Sequence, residues 1–270
     1  MINDCAYVNH TLAGLLVKNN VDVTLQLRTR NLFDKTILLA IKLYFLRADI
    51  YHCAYLLQDC WFARKFNKRP LIGHAHGSDI RNIDSKWGKI IKGNITNCDK
   101  ILVATPDLLN TAQQYNDNVE YFPTPIDINI FSSNIQNKNL NKQKLALYCK
   151  KPGDYLEPKT NDKLIEQGYH VIQIDEFNYP YYQMPHIYHK YDIFIDQHLN
   201  PIKSKMCLEA MSCGLPVVTY DGKFLLNGKQ NREYIVKYHD ANHVLREGDN
   251  LLICREVEDA QIIEDESKIN

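Results

Sequence analysis

Most of the short motifs that mark nucleotide-dependent and hydrolytic enzymes are missing from these 270 residues. There is no G-x-G-x-x-G, so a nicotinamide-binding Rossmann enzyme would lack its fingerprint, and no G-x-x-x-x-G-K-[ST] phosphate loop. No G-x-S-x-G suggests a hydrolase. The eight cysteines, at 5, 53, 60, 98, 149, 207, 213 and 254, contain no C-x-x-C pair and do not read as a zinc site. Several sit in apolar stretches, which suits reduced, buried thiols and a cytoplasmic location. Charge of one sign is also missing. Lysine plus arginine number 32, as do aspartate plus glutamate, so overall charge points to neither nucleic acid nor an anionic membrane. The most apolar run, 36–46, carries Lys42, ends at Arg47 and is too short to span a bilayer. Residues 1–7 are polar and do not form a signal peptide.

What is present is a repeated alternation of helix and strand. Residues 4–19 carry a helical apolar stripe, and 21–27 alternate like a strand. Helices are predicted over 32–47, 56–66, 87–97 and 106–115, and strands over 49–52, 69–77, 100–105 and 119–122. This order argues for a parallel, doubly wound sheet, whose sites lie beyond the carboxyl ends of the strands. Residues 135–144, rich in Asn and Lys, read as a linker. The expected domains are therefore 1–132 and 133–270. In the second, strands are expected at 145–149 and 171–175, and a helix ends at 164–168. The segment from Lys223 to Arg246 is polar and matches no element. Residues 248–254 read as a last strand, and 256–270 as a terminal helix or tail.

The most informative stretch is 191–223. Residues 192–196 read as a buried strand and 204–212 as a short helix. Gly214 sits at the helix end, Pro216 stops it, and 217–220 form the next strand. A strand, loop and helix in that order aim backbone amides near Ser204, Lys205 and Met206 at an anion. Lys205 and Glu209 share a helix face, about 6 Å apart along the axis. A diphosphate on the helix start would bring a nucleotide ribose to Glu209, whose carboxylate can accept from two neighbouring hydroxyls. Spacing alone favours a solvated Lys205–Glu209 pair on an ordinary surface helix.

The segment LEAMSCGLPVVTY, 208–220, resembles the signature of family 4 glycosyltransferases, and HGSD-x-R at 76–81 resembles a second motif of that family. The resemblance implies an α/β chain of GT-B fold: two Rossmann-like parallel-sheet domains facing across a cleft. It puts the donor ribose on Glu209 and the diphosphate on Ser204, Lys205, Met206 and the lysines of the loop 149–159, namely Lys150, Lys151 and Lys159. It gives His76 the sugar-facing, catalytic position, lines the cleft with Gly77, Ser78 and Arg81, and lines the base pocket with Phe177, Tyr179 and Met184; Asp196, with Gln197 beside it at the strand end, can supply the catalytic sugar contact that Pro201 lacks. Read without it, the histidines at 74 and 76 suit loop packing, the basic loop suits a solvated surface, and the aromatic residues suit a core.

The implied activity is transfer of a hexose, with UDP-glucose favoured over GDP-mannose, from a nucleotide diphosphate sugar to a glycan or other hydroxyl acceptor, with retention. No Asp-x-Asp pair exists. No metal or other cofactor is expected, because helix amides and lysines can manage the departing diphosphate. The sequence departs from the family in two places. Pro201 stands where the first glutamate of the family's Glu-x7-Glu motif belongs, and the opening strand of the first domain is missing. A non-catalytic nucleotide-sugar binder of the same fold is therefore the alternative. The abundance of Asn, Lys, Ile and Tyr suggests an AT-rich genome, such as that of a large DNA virus, which would make the location host cytoplasm.

Overall fold

A computed structural model describes residues 1–27, 31, 33–133, 143–150, 153–175, 179–198, 202–220, 222–225 and 227–244. The chain forms two compact units. One comprises Met1–Pro125 with Val244–Asn270, the other Ile126–His243. The expected linker at 135–144, the last strand at 248–254 and the terminal segment at 256–270 lie wholly or largely outside the described residues.

In the first unit, α1 (Val8–Lys18) is followed by a π-helical turn (Asp34–Leu38) that runs into α2 (Leu39–Phe45). Then β1 (Tyr51–Ala54), α3 (Gln58–Lys65), β2 (Leu71–Ala75), α4 (Gly88–Asn97), β3 (Lys100–Val103), α5 (Leu109–Gln113) and β4 (Val119–Tyr121) alternate. The four strands form one parallel sheet in the order β1-β2-β3-β4. β1 and β2 are buried along their whole length, as strands covered on both faces must be. One face packs Leu43, Leu56 and Cys60 with Ile91 and Ile101, and the other holds Val8, Leu12, Ile72 and Phe122. The strand expected at 21–27 is reduced to one bridge. Ile2 pairs in parallel with Gln26 on one side and with Cys53 on the other. These bridges reverse the strand order beside β1, where the chain runs from Ile2 to Gln26 and then crosses to β1.

In the second unit the elements are β5 (Lys144–Lys150), α6 (Pro158–Glu166), β6 (Tyr169–Asp175), α7 (Met184–Tyr188), β7 (Ile193–Ile195), α8 (Lys205–Ser212), β8 (Val217–Val218), β9 (Phe224–Leu225), α9 (Gly228–Tyr238) and α10 (Ala241–Val244), which ends one residue into the other unit. The sheet order is β6-β5-β7-β8-β9, parallel except for β9. Residues 126–133 belong here because Ile126 and Phe131 are fully buried in this core, and Ile126 exchanges backbone hydrogen bonds with His239 and Ala241. The polar stretch after Lys223 holds β9 and α9, two elements the sequence pattern did not reveal. The inward face of α9 carries Asn231, which donates to the carbonyls of Leu215 and Leu225, so the apolar periodicity is broken. Gly228 is needed where α9 begins. A Cβ there would lie 1.9 Å from the carbonyl oxygen of Gly214, which itself ends α8 at φ +80°.

Candidate functional site

The second sheet reverses direction between β5 and β7, because the chain leaves β5 for β6 on one side and returns to β7 on the other. In an open α/β sheet, the crevice beyond the strand ends at such a reversal is where ligands bind. Lys150 ends β5 there, and Asp196 follows β7. Two buried carboxylates organise this end of the sheet. Asp154 accepts from the Tyr148 hydroxyl at 3.0 Å and from the His198 amide at 3.2 Å. Asp196 accepts from the Ser204 hydroxyl at 2.6 Å, the Ser204 amide at 3.0 Å and the Gln197 amide at 2.8 Å. The Ser204 hydroxyl in turn accepts from the Cys207 amide at 3.2 Å, capping α8. Asp196 thus fixes the start of α8 through its cap.

This corrects one expectation. The Ser204 amide is not open to an anion, because Asp196 occupies it. The Met206 amide has no hydrogen bond to the described residues, and it lies at the positive end of the helix dipole. Lys205 turns inward. Its ammonium donates to the Tyr181 hydroxyl at 3.1 Å, stands 4.6 Å from that ring's centre and lies 3.3 Å from Glu209.

Glu209 is buried, with 3% of its surface exposed. Its Oε2 accepts from the Tyr188 hydroxyl at 3.1 Å, and its Oε1 faces Lys205. Burial raises the Glu209 pKa, against the pull of Lys205 and the hydroxyls of Tyr188 and Tyr181. The bland alternative of a solvated pair on a surface helix therefore does not describe Lys205 and Glu209. A carboxylate has about four lone-pair sites, and three of those of Glu209 are met by Tyr188, Lys205 and Tyr181. Tyr181 and Tyr188, which orient this acid, carried no sequence signal beyond aromatic character.

Other expected donor-site residues are more scattered. Lys150 and Lys159 are exposed at the end of β5 and in α6. Tyr179 is also exposed, whereas Met184 packs in the apolar core with Ile187 and Tyr188. Lys151, Phe177 and Pro201 lie outside the described residues.

In the first unit, the expected residues gather beyond the end of β2. Gly77 has φ +110°, and a Cβ there would lie 2.1 Å from the Arg81 Nη1 atom, so glycine lets the guanidinium rest on the backbone. Arg81 continues to Asp107, at 2.7 and 3.1 Å, and to the Thr105 hydroxyl at 3.2 Å, bracing the ends of β2 and β3. Asp79 is buried and accepts from the amides of Gly77, Ile80 and Leu56 at 3.0, 3.0 and 3.2 Å. Burial raises its pKa, with those amides opposing. It caps the following 3-10 turn and also ties the loop after β1 to the loop after β2.

His76 takes part in a stack of rings. His74 lies 4.2 Å from it between ring centres, Tyr55 lies 6.2 Å away, and His52 is 5.3 Å from His74. Tyr55, with a left-handed φ of 99°, also hydrogen-bonds Ser78 through its hydroxyl. Backbone strain of this kind is held only where the surroundings enforce it. Sequence reasoning passed over Tyr55, since nothing in the pattern marks a single tyrosine after a strand. The ring nitrogens of His52 and His74 have no hydrogen-bond partner among the described residues. Burial lowers the His52 pKa to about 3 and that of His74 well below the ordinary histidine value. Beside Arg81 lies a cavity of about 550 Å³, bounded by Asp84, Asp107, Gln114 and Tyr115.

No protein-family model matches the chain, and no curated protein matches it. Solved structures do. Anabaena Alr3699/HepE, solved in complex with UDP-glucose, is similar over 95% of this chain and 88% of its own, with a TM-score of 0.59 and 13% identity. Sucrose-phosphate synthase from Thermosynechococcus elongatus aligns over 71% and 69%, with a TM-score of 0.47 and 13% identity. TarM of S. aureus, crystallised with Fondaparinux, alpha-GlcNAc-glycerol and UDP, aligns over 75% and 56%, with a TM-score of 0.48 and 16% identity. The likeness to HepE establishes the fold: an α/β chain with two Rossmann-like, largely parallel sheets, of the GT-B type.

Proposed function

We propose that this chain transfers a hexose from a nucleotide diphosphate sugar, UDP-glucose in the first instance, to a glycan hydroxyl, with retention at the anomeric carbon and without a metal ion. The observation that carries the reading is the α8 arrangement. A capped helix N-terminus lies at the reversal of the second sheet, with a buried, hydroxyl-bonded carboxylate four residues along. The similarity to a fold solved with UDP-glucose is consistent with it.

In this reading Glu209 accepts from the ribose hydroxyls. The amide of Met206 and the helix dipole stabilise the departing diphosphate, with Lys150, Lys151 and Lys159 as additional positive charge. Asp196 is a positioning residue that sets the helix start through Ser204. Within the first unit, His76, stacked with Tyr55 and His74, is the candidate for a sugar hydroxyl, and the cavity beside Arg81 is the candidate acceptor site. Phe177 and Tyr179 line the base. No side chain among the described residues is placed as a nucleophile or base, and the acceptor's proton passes to the leaving phosphate.

Pro201 in place of a glutamate favours a second reading, a nucleotide-sugar binder without turnover. A thermal-shift screen of nucleotide diphosphate sugars, followed by donor hydrolysis and transfer assays, tests both. UDP-glucose is expected to raise Tm in the parent chain and not in Glu209→Ala. An equal rise in both would remove Glu209 from the site. A rise without hydrolysis or transfer over a broad acceptor panel would select the binder.

A further inference from the structure

The helix formed by the π-helical turn and α2 is apolar on two sides. Leu39 and Leu43 are buried in the first unit's core. On the other side Phe45 is 74% exposed and Tyr44 63%, while Phe33, Ile37 and Ile41 are each about half exposed. Positions 33, 37, 41, 44 and 45 follow helical spacing and form one stripe. Helices apolar all round are normally buried, and contiguous exposed apolar surface of this kind marks an interaction site.

Charge identifies what covers it. The chain is neutral overall, yet residues 28–47 hold five basic residues against one acidic residue, Asp34. Of the five, Lys42 and Arg47 are exposed at the aromatic end of the stripe. Lys68 adds a further ammonium there, donating to the carbonyls of Tyr44 at 3.0 Å and Leu46 at 2.7 Å. Aromatic and aliphatic side chains flanked by basic ones suit the boundary between headgroups and acyl chains, where lysine and arginine stems reach the phosphates. The helix is about 18 Å long at 1.5 Å per residue. That is well short of the roughly 30 Å hydrocarbon core, and no helix among the described residues is long and apolar enough to cross a membrane. A second copy of the chain fits less well, since a two-fold contact would set the same basic rim against itself.

We infer that this face rests on an anionic phospholipid surface, with Ile37, Ile41, Tyr44 and Phe45 entering the headgroup boundary and Lys42 and Arg47 meeting lipid phosphates. The inference is independent of the transfer reaction proposed above.

The test is sedimentation of the full chain with vesicles of phosphatidylcholine alone or mixed with phosphatidylglycerol. Binding is expected to the mixed vesicles, to weaken with added salt and to be much poorer with phosphatidylcholine alone. The double substitution Ile41→Ser/Phe45→Ser is expected to weaken binding about tenfold or more. Lys42→Glu/Arg47→Glu is expected to weaken it comparably and to remove most of the salt dependence. All four side chains are exposed, so the urea midpoint should be nearly unchanged, which separates lost binding from lost fold. Absence of binding to the mixed vesicles would overturn the inference, as would binding indifferent to Ile41→Ser/Phe45→Ser. So would a dimer, seen by sedimentation velocity, that the same substitution dissolves.

Discussion

The two candidate regions bury polar side chains by opposite means. At the start of α8, every buried carboxylate is met. Asp196 accepts from three donors, Asp154 from two, and Glu209 from Tyr188 with Lys205 alongside. Beyond β2 in the first unit, Asp79 is met by three amides, but His52 and His74 are buried with no partner for either ring nitrogen among the described residues. The difference teaches how each group survives burial. A carboxylate near neutral pH must keep its charge or bind a proton it holds weakly, so it needs donors. An imidazole can shed its proton at little cost, because its ordinary pKa is about 6.5. The carboxylates of both regions are held by satisfied hydrogen bonds, and only the two histidines are held by the absence of charge.

The largest way to break that comparison is acid. Both histidines have folded-state pKa values below the unfolded value, so the unfolded chain takes up protons first as pH falls. Their stabilising contribution is complete above about pH 6.5 and is lost below it. Between pH 7 and pH 5 each should cost about 2 kcal/mol, or about 4 kcal/mol together. Glu209 and Asp79, whose pKa values are raised, act with the opposite sign and gain relative stability toward more acidic pH. Comparing the parent with His74→Leu isolates one histidine. In urea titrations the variant should lose about 2 kcal/mol less over this interval. An unchanged pH slope would mean that His74 is solvated or partnered after all.

Next in size is the charged pair of the other region. Glu209→Ala leaves the Lys205 ammonium, only 10% exposed, without its carboxylate and should cost about 3 kcal/mol. The double change Lys205→Met/Glu209→Leu should restore most of that stability while leaving the chain unresponsive to UDP-glucose. Recovery of both would separate Glu209 from ligand binding. Asp196→Asn removes an acceptor from the Ser204 amide or hydroxyl and should cost about 2 kcal/mol. Ser204→Ala, which removes the cap and one of the three donors to Asp196 but leaves its two amide donors, should cost about 1 kcal/mol. If the double variant of these two shows simple additivity, the pair does not work as the single unit its geometry implies.

Much of the fold was legible because its signals are local. The strands at 71–75, 100–103 and 193–195 are short apolar runs, and α8 announces itself through Ser204 at its start and Gly214 past its end. Elements stabilised by polar or distant contacts were not legible. α9 hides behind Asn231, whose value lies in two carbonyls from other segments. Residues 21–27 keep an alternating exposure, but bridge the sheet through Gln26 opposite Ile2, with one further hydrogen bond from the Met1 amino group to the Thr24 carbonyl. The same holds for the site. Glu209 and His76 stand in recognisable motifs, whereas Tyr188, Tyr55 and Asp154 contribute through neighbours 21 or more residues away.

By itself, the order of residues determined the alternation of strands and helices, the capped helix at 205–212 and the placement of a carboxylate one turn into it. Those follow from φ preferences, capping and 3.6-residue periodicity, which act within a few residues. Only the tertiary structure decided that this carboxylate is enclosed by tyrosine hydroxyls and a lysine, that two histidines are buried uncharged, and that a basic, aromatic helix face is left uncovered. Burial, dielectric and hydrogen-bond partners are set by segments far apart in the chain, and no local pattern encodes which of them will meet.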